Sequence, residues 1–456
     1  MATFSKRDIK TITKTVLNAA MAPEVVVSVR HRQAGNLRLA RNQPTTEGDV
    51  ETVQISVTAS VQGRSATATG NRTDRASLEA LMVEAEELAA LSPVDPEHVP
   101  PVGNSLYLQV DGHDQPSAKL EAKHRAEIVE PAIRTADKAD VELAGFLQHD
   151  EQSFAVATSA GAFAYYPSTM ASLTVTTRTR DQSGSGWAGI ESHQAKQVDG
   201  LALTQLAADK AEFSPGPKLL EPGKHLVILE AQAVADLLEF LVDALDARSA
   251  DEGRSWFSHP DGGARIGEEL FHTSINLRSN PADQHNPAAP FTATGEAHKA
   301  VDWIRDGVLR SLASSRYWCS RPGSSRSGSS RSGSQASEAI PPPSSILLDG
   351  SELDRRELVE AVDRGVLVTR FWYNRTLDPR TILVTGLTRD GTFLVERGKI
   401  TTTVKNFRYN ASPVKMLQNV LALGRPQRVV TRGGRVMVVP PMVVKDFNFS
   451  SISDAV

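Results

Sequence analysis

The sequence contains one cysteine, Cys319, among 456 residues. A single thiol excludes an internal disulfide and any metal site built from several cysteines. Long apolar runs are missing too, since no segment approaches the roughly 18 apolar residues that a membrane-spanning helix requires. The N-terminal residues also lack the continuous apolar core of a signal peptide. These absences predict a chain with no membrane span and no disulfide framework.

An excess of charge of either sign is also absent. The chain has 50 Lys and Arg against 54 Asp and Glu, which gives a formal net charge of -4. Such a balance provides no global attraction to nucleic acid or to an anionic membrane surface. We therefore expect neither as a partner, and any basic surface must be local.

What the chain does have is alternation of helical and strand patterns over a length sufficient for roughly three domains of about 100–200 residues each. Ser5 and Asp8 predict a capped first helix, and a strand from Val25 to Val29 is predicted to turn at Gly35. We expect an α+β fold with antiparallel sheets flanked by helices in two N-terminal units. These units cover residues 1–102 and 103–215, and a β-rich unit covers residues 216–456.

One segment of the third unit has low complexity. Residues 321–345 contain GSSRS twice in tandem and end in a proline run. Too little apolar surface exists there to offset the entropy of ordering the chain, so the segment predicts a disordered loop.

Residues 363–413 read as successive strands with glycines at positions 386, 391 and 398, the pattern of an antiparallel meander. This stretch carries polar and aromatic side chains that a plain strand does not need. The candidates for binding a substrate are Arg370, Tyr373, Asn374, Arg375, Arg389 and Asp390. In one interpretation a peptide adds to a strand edge and the arginines bind carboxylates. In the other, paired charges lock the strand ends, and Trp372 and Phe393 lie in the core.

Four motifs of this region, VTRFWYNR, DPRT, TGLTRDGTF and NFRYNASP, occur in one order. Together they resemble the C-terminal signature of the TldD/PmbA (TldE) family, a group of metallopeptidase-related proteins. Catalytic members of that family carry HExxxH on a helix that follows a strand, and a cysteine near the C-terminus supplies a further zinc ligand. The resemblance also implies a cytoplasmic location and a heterodimer.

The expected zinc ligands are missing from this sequence. The matching element is a strand at residues 226–229 and a helix at residues 230–247, and that helix contains no histidine. No two of the 11 histidines lie close enough in sequence to form HExxxH, and the tract 431–434 holds no cysteine. The chain therefore resembles the PmbA/TldE side of the family. This resemblance implies no catalytic residue, metal or cofactor in this chain.

The resemblance implies a partner subunit that bears HExxxH and zinc, with unfolded or small peptides as substrates. A different interpretation is a non-enzymatic binding or regulatory protein of the DNA gyrase modulator type, which works without a peptidase partner. Two minor candidates remain. Asp236, Glu239 and Asp243 share a helical face that could bind a hard cation or simply be solvated. For Cys319 no partner base is evident.

Overall fold

The computed structural model describes residues 3–321, 339–430 and 435–453. Its first helix begins as the sequence predicts, because Ser5 and Asp8 form a reciprocal capping box. The elements of this first part are α1 (Lys6–Ala19), β1 (Glu24–Ala40), β2 (Gln43–Val61), β3 (Arg64–Gly70) and α2 (Arg75–Leu91).

The next part of the chain repeats strands between helices. Its elements are α3 (Gln115–Ala118), α4 (Ala122–Lys138), β4 (Val141–Thr158), β5 (Phe163–Thr179), β6 (Ser185–Ser192) and α5 (Gly200–Phe213). A short 3₁₀ turn, Ala195–Gln197, precedes α5.

The first two parts share one sheet. Its six strands are antiparallel in the order β3-β2-β1-β4-β5-β6. The β1–β4 pairing that joins the two parts is long, from Val26 opposite Thr158 to Leu39 opposite Gly145. The predicted boundary between residues 102 and 103 therefore stays a prediction. The two units on either side of it contribute strands to a single sheet.

The predicted turn at Gly35 is wrong. Gly35 lies inside the continuous strand β1, where it pairs with Asp49 on one side and His149 on the other. A Cβ atom on Gly35 would lie 2.1 Å from Arg125 Nη1 and 2.3 Å from His149 Cε1. Glycine is needed at this position because side chains approach the backbone closely, and no reversal of the chain occurs.

The third part contains many short elements. They are β7 (Gly223–Leu229), α6 (Ala231–Asp243), α7 (Ala247–Asp251), β8 (Leu277–Ser279), β9 (Val301–Arg305), β10 (Val308–Leu309), α8 (Arg316–Ser320), β11 (Ser345–Leu348) and α9 (Arg355–Glu360). The chain continues with β12 (Arg364–Asp378), β13 (Leu383–Glu396), β14 (Lys399–Thr403), β15 (Phe407–Ala411), α10 (Pro413–Gln418), β16 (Val420–Leu423), β17 (Gln427–Val429), β18 (Val436–Val439) and β19 (Met442–Ile452).

Two sheets organise this third part. One has the order β10-β9-β8-β11-β18-β17. The other runs β12-β7-β19-β15-β13-β14, and a further pairing of β12 with β13 closes five of its strands into a ring. Stacked aromatic rings fill the core next to this ring, such as Phe371 on Phe447 at 5.5 Å and Phe407 on Phe449 at 4.4 Å between centroids. The predicted α+β fold with a β-rich C-terminal part is confirmed.

Most of the predicted disordered loop at 321–345, namely residues 322–338, lies outside the described residues. Of its described end, Ile340 pairs with Ser314 and Ser345 begins β11. Among the helices of the described ranges, none is long and apolar enough to cross a membrane.

Candidate functional site

The junction of β7 and α6 is the element where catalytic relatives would carry HExxxH. Here β7 ends in buried Leu229, and Glu230 is the N-cap residue of α6. The first turn of the helix presents Ala231, Ala233 and Val234, all of them buried. None of these apolar side chains can bind a metal, so the residues present do not fit a zinc ion.

The end of β17 lies against the same helix. Val430 and the side chain of Gln232 exchange two hydrogen bonds, of 3.0 and 3.2 Å. The tract 431–434, where relatives place a cysteine ligand, follows at once but lies outside the described residues. Within the part of the chain that the structure describes, no group of three or more His, Cys, Asp or Glu side chains could hold a metal ion.

The acidic side chains of α6 have structural partners. Asp236 Oδ2 accepts a 2.8 Å hydrogen bond from the backbone N–H of Phe371, and its Oδ1 accepts one from Gln232. Asp243 forms an ion pair with Arg435 at 2.5 Å. Asp236 therefore docks α6 onto β12 and does not belong to a solvated face, whereas the side chain of Asp243 is 63% exposed. No metal-binding group that includes these acids is found among the described residues.

Glu230 connects two parts of the molecule. Its Oε2 accepts a 2.8 Å hydrogen bond from Lys210 Nζ at the end of α5, and its Oε1 lies 2.9 Å from Arg355 Nε. Lys210 is 4% exposed, and burial lowers the pKa of its ammonium group while Glu230 opposes that change. The contact with Arg355 is an ion pair without hydrogen-bond geometry, so Lys210 supplies the hydrogen bond and both cations balance the charge of Glu230 where α5, α6 and α9 meet.

Three register shifts interrupt the pairing of β12 with β13, and two of them are β-bulges at the predicted site residues. These two shifts lie between Val368 and Arg370 and between Trp372 and Arg375. Asp390 and Tyr373 have φ angles of 53° and 56° at these shifts, in the left-handed region. Bulges of this kind redirect side chains from the regular alternation of a strand.

The first bulge brings three of the predicted residues together. Arg370 donates two hydrogen bonds to Asp390 Oδ2, one of them from Nε at 2.9 Å, and Arg389 Nε lies 3.8 Å from the same oxygen. Asp390 is 2% exposed, whereas the side chain of Arg389 is 29% exposed. One carboxylate thus faces two guanidinium groups, and the charge of Asp236 also acts on Arg370. Arg389, with only a 3.8 Å contact to Asp390, is the less tightly paired cation and lies at a partly open position.

Two tryptophans cover these arginines. The guanidinium carbon of Arg370 lies 4.7 Å from the ring centre of Trp187 and 5.2 Å from that of Trp372. Arg389 lies 5.2 Å from the Trp372 ring. Stacking on aromatic rings fixes both guanidinium planes. The term seam is used below for the residues that meet here, which are Trp187, Lys210, Glu230, Arg355, Arg370, Trp372, Arg389 and Asp390.

The other three predicted residues lie apart from this group. Asn374 accepts a hydrogen bond from Tyr409 at 2.8 Å and donates one to the backbone oxygen of Asp236, so it is a structural link. Tyr373 is 57% exposed, and Arg375 stacks on its ring and donates a 2.6 Å hydrogen bond to its hydroxyl. The structure therefore divides the six predicted residues into three groups.

The strand edge that a peptide could use is partly covered. β7 pairs with β12 only from Val366 to Val368, and beyond that point Asp236 accepts the backbone N–H of Phe371. Peptide addition at Phe371 would have to displace this bond. Side-chain recognition at the seam therefore suits the geometry better than strand addition.

Sequence reasoning missed Trp187, Lys210, Glu230 and Arg355. For Glu230 there is a signal, since an acid stands alone between a buried strand and a buried helix. Lys210 and Trp187 come from a different part of the chain, and no local pattern links them to residue 230 or 370.

A family model described as the PmbA/TldA metallopeptidase C-terminal domain matches residues 222–451. The model of the central domain of the same family matches residues 114–212. The chain belongs to the PmbA/TldD family. The C-terminal match contains every element of the seam except α5 and β6, and these lie in the central match.

Solved structures share the fold. TldE from Thermococcus kodakarensis superposes with a TM-score of 0.81 at 14% identity, over 97% of this chain and 99% of that one. A protein described as a modulator of a DNA gyrase, from Thermotoga maritima, has a TM-score of 0.81 at 18% identity, over 96% of this chain and 99% of that one. A protein of the same description from Bacteroides thetaiotaomicron has a TM-score of 0.80 at 18% identity, with 98% and 99% covered. No curated protein matches the chain.

Proposed function

We propose that this family member is the non-metal-binding subunit of a two-subunit peptidase assembly in the cytoplasm. Its partner would be a relative that carries HExxxH and zinc, and the substrates would be unfolded or small peptides. The observation that carries this proposal is the β7–α6 junction. In this metallopeptidase fold, the junction holds apolar residues and Glu230, whose carboxylate contacts Lys210 and Arg355. A subunit so built can contribute to binding a peptide but has no means of holding the metal at this element.

The seam is the proposed contact with the peptide. Arg389 is the accessible cation, Arg370 and Asp390 fix its surroundings, and the half-buried ring of Trp372 offers an apolar surface. A free peptide carboxylate can pair with the partly exposed guanidinium group of Arg389, because the neighbouring Arg370 is already paired with Asp390. Of the six residues predicted from sequence, we assign this role to Arg389 and its neighbours Arg370 and Asp390.

Affinity purification of the chain from its native cell tests the assembly. The proposal predicts that a relative containing HExxxH co-elutes at near-equal stoichiometry, together with zinc. A chain that elutes alone, or with unrelated proteins only, contradicts the two-subunit proposal.

The second candidate is a regulatory protein that acts without a peptidase partner. The descriptions of two structural relatives as modulators of a DNA gyrase favour it. The same purification separates the candidates, because this one predicts gyrase or DNA in the eluate and no HExxxH relative.

A further inference from the structure

One face of the six-stranded sheet carries two apolar cores with a polar belt between them. Strand β1 shows the pattern directly, because its odd-numbered residues share one face. Val25, Val27 and Val29 lie in the core beneath α1 and α2, and Leu37 and Leu39 lie in the core beneath α4 and α5. The residues between them on the same face are polar or glycine.

The belt continues across neighbouring strands. Gly35 pairs with Asp49 of β2 and with His149 of β4, and Gln33 pairs with Glu51 and Glu151 in the same way. These six residues, Gln33, Gly35, Asp49, Glu51, His149 and Glu151, are called the belt below.

A groove of about 960 Å³ opens above the belt. Residues of α3, of α4 and of the turn between them form its other wall, among them Gln115, Lys119 and Glu121. This volume is in the range of about 300–1,000 Å³ that ligand sites occupy.

The lining of the groove is acidic. With His149 counted as neutral, its charged groups are four carboxylates and two basic side chains, a formal excess of two negative charges: Asp49, Glu51, Glu121 and Glu151 against Lys119 and Arg125. Arg125 is 1% exposed and already donates to Asp49 at 2.7 Å and to Glu47 at 2.5 Å. Its charge is therefore matched within the protein by Asp49 and Glu47. Two other carboxylates of the groove contact histidines, since Glu51 Oε1 lies 2.7 Å from His31 Nε2 and Glu151 Oε1 lies 2.9 Å from His113 Nε2. The formal negative excess of the groove therefore counts both imidazoles as neutral.

His149 gives the floor of the groove an unused acceptor. The residue is 8% exposed, and its Nδ1 has no hydrogen-bond partner among the described residues. Burial, and next the charge of Arg125, lower the pKa of His149 to about 4, while a hydrogen bond with the Gly35 backbone opposes this. A neutral ring that donates to that backbone presents its other nitrogen as an acceptor.

The outer edge of the groove is a strand with one partner. β3 pairs with β2 only from residue 55 onward, so residues 43–54 of β2 have β1 on one side and no described strand on the other. Asp49, Val50 and Glu51 of this edge line the groove. Unpaired N–H and C=O groups of such an edge can accept an extended chain.

We propose that this groove binds an extended peptide that carries a basic side chain. The peptide backbone pairs with the edge of β2 at residues 49–51, and the ammonium or guanidinium group enters the belt toward Asp49, Glu51 and His149. The inference uses no residue of the seam and does not depend on the proposed function. The belt thereby takes cations, whereas the seam takes a carboxylate.

Fluorescence anisotropy with the full-length chain tests this site. The probe is an amidated hexapeptide of alternating lysine and threonine in which the fluorophore acylates an added N-terminal glycine, so that it has no free C-terminal carboxylate for the seam. We expect saturable binding that weakens with salt, at least about tenfold weaker binding when glutamine replaces lysine, and a similar loss on N-methylation of alternate amides. Absence of binding, or equal affinity for the lysine, glutamine and glutamate peptides, overturns the proposal.

Substitutions in the groove test where on the protein the peptide binds. Glu51→Gln and Glu121→Gln should each weaken lysine-peptide binding by about three- to fivefold, as expected for partly exposed charges. Gly35→Ala should weaken it further, because a Cβ atom there displaces Arg125 and His149. Glu87→Gln makes the same change of charge on the exposed face of α2 and is the matched control. Unchanged affinity in both glutamine variants of the groove, with an unchanged melting temperature, refutes the site without reliance on Gly35→Ala.

Discussion

Lys210 Nζ donates a 2.8 Å hydrogen bond to Glu230 Oε2, and this contact joins the central part of the chain to the C-terminal part. A second hydrogen bond, from Lys210 to the backbone oxygen of Trp187 at 3.1 Å, closes the same contact. The carboxylate of Glu230 also lies at the N-terminus of α6, where negative charge is favourable. In this chain, the element that would bind zinc in catalytic relatives is instead a buried ionic junction between two parts of the fold.

Loss of Lys210 should destabilise the fold. Lys210→Met leaves Glu230 buried with Arg355 as its remaining cation, and removing one partner of a buried pair costs about 3 kcal/mol. The double variant Lys210→Met with Glu230→Leu should recover part of that loss, because the buried carboxylate leaves together with the buried ammonium and the remaining cation, Arg355, is 35% exposed. Urea unfolding of the two single variants and the double variant measures the coupling. Additive effects of the two changes would contradict a direct pairing.

Arg389 should control binding of peptides with a free C-terminus. Arg389→Gln removes the accessible guanidinium group and should weaken such a peptide about tenfold, in the range for hydrogen bonds to charged groups. An amidated version of the peptide should bind wild type and variant equally. Arg375→Gln, at an exposed arginine stacked on Tyr373, is the matched control. Calorimetric titration decides the matter, and equal losses for Arg375→Gln and Arg389→Gln would remove Arg389 from the site.

Asn374 should act on stability rather than on binding. Asn374→Ala deprives the buried hydroxyl of Tyr409 of its acceptor, and an unsatisfied buried group costs about 1–3 kcal/mol. Tyr409→Phe in the same background should restore part of the stability, since the unsatisfied hydroxyl is then gone. Thermal unfolding and peptide titration of both variants check this. A tenfold loss of peptide affinity in a fully folded Asn374→Ala protein would contradict the structural role.

Glu191 should make stability fall as pH rises. Burial raises its pKa from 4.5 to about 7, with Arg428 opposing and Asp150 adding to the rise. Between these two pH values the folded chain holds more protons at this site than the unfolded chain, so deprotonation favours unfolding. Glu191→Gln should therefore stabilise the protein at pH 8, by about 3 kcal/mol, and change little at pH 4. Unfolding midpoints at the two pH values measure this, with exposed Glu212→Gln as control, and equal effects at both pH values would refute the assignment.

The sequence predicted the fold class, the first capping box and the alternation of helices with antiparallel strands, because these follow from local periodicity. Its errors concern glycine. Gly35, Gly386 and Gly391 carry the usual signal of a turn, yet all three lie within strands. A Cβ on Gly386 would come within 2.4 Å of Asn374 Oδ1, and Gly391 has a φ of 128° at a bulge. Of these four glycines, Gly398 alone lies in a hairpin turn. A single sequence does not distinguish a glycine that forms a turn from a glycine that is needed because side chains approach the backbone closely.

The site could be predicted in part. Arg370, Arg389 and Asp390 form one group because a bulge, invisible to periodicity, redirects Asp390. The belt was readable in principle, since one face of β1 is apolar at 25, 27 and 29, polar or glycine at 31, 33 and 35, and apolar again at 37 and 39. The contact of Lys210 with Glu230 could not be found this way, because it depends on how two sheets pack and not on either local pattern.

Metal content and cleavage by the separate and combined subunits test the central claim most directly. The chain, its HExxxH-bearing relative and their reconstituted mixture would each be analysed for zinc and assayed on a small peptide. Our account predicts no bound zinc and no cleavage for this chain alone, and in the mixture one zinc per pair with cleavage that a chelator abolishes. One tightly bound zinc in this chain alone, with chelator-sensitive cleavage, would contradict it.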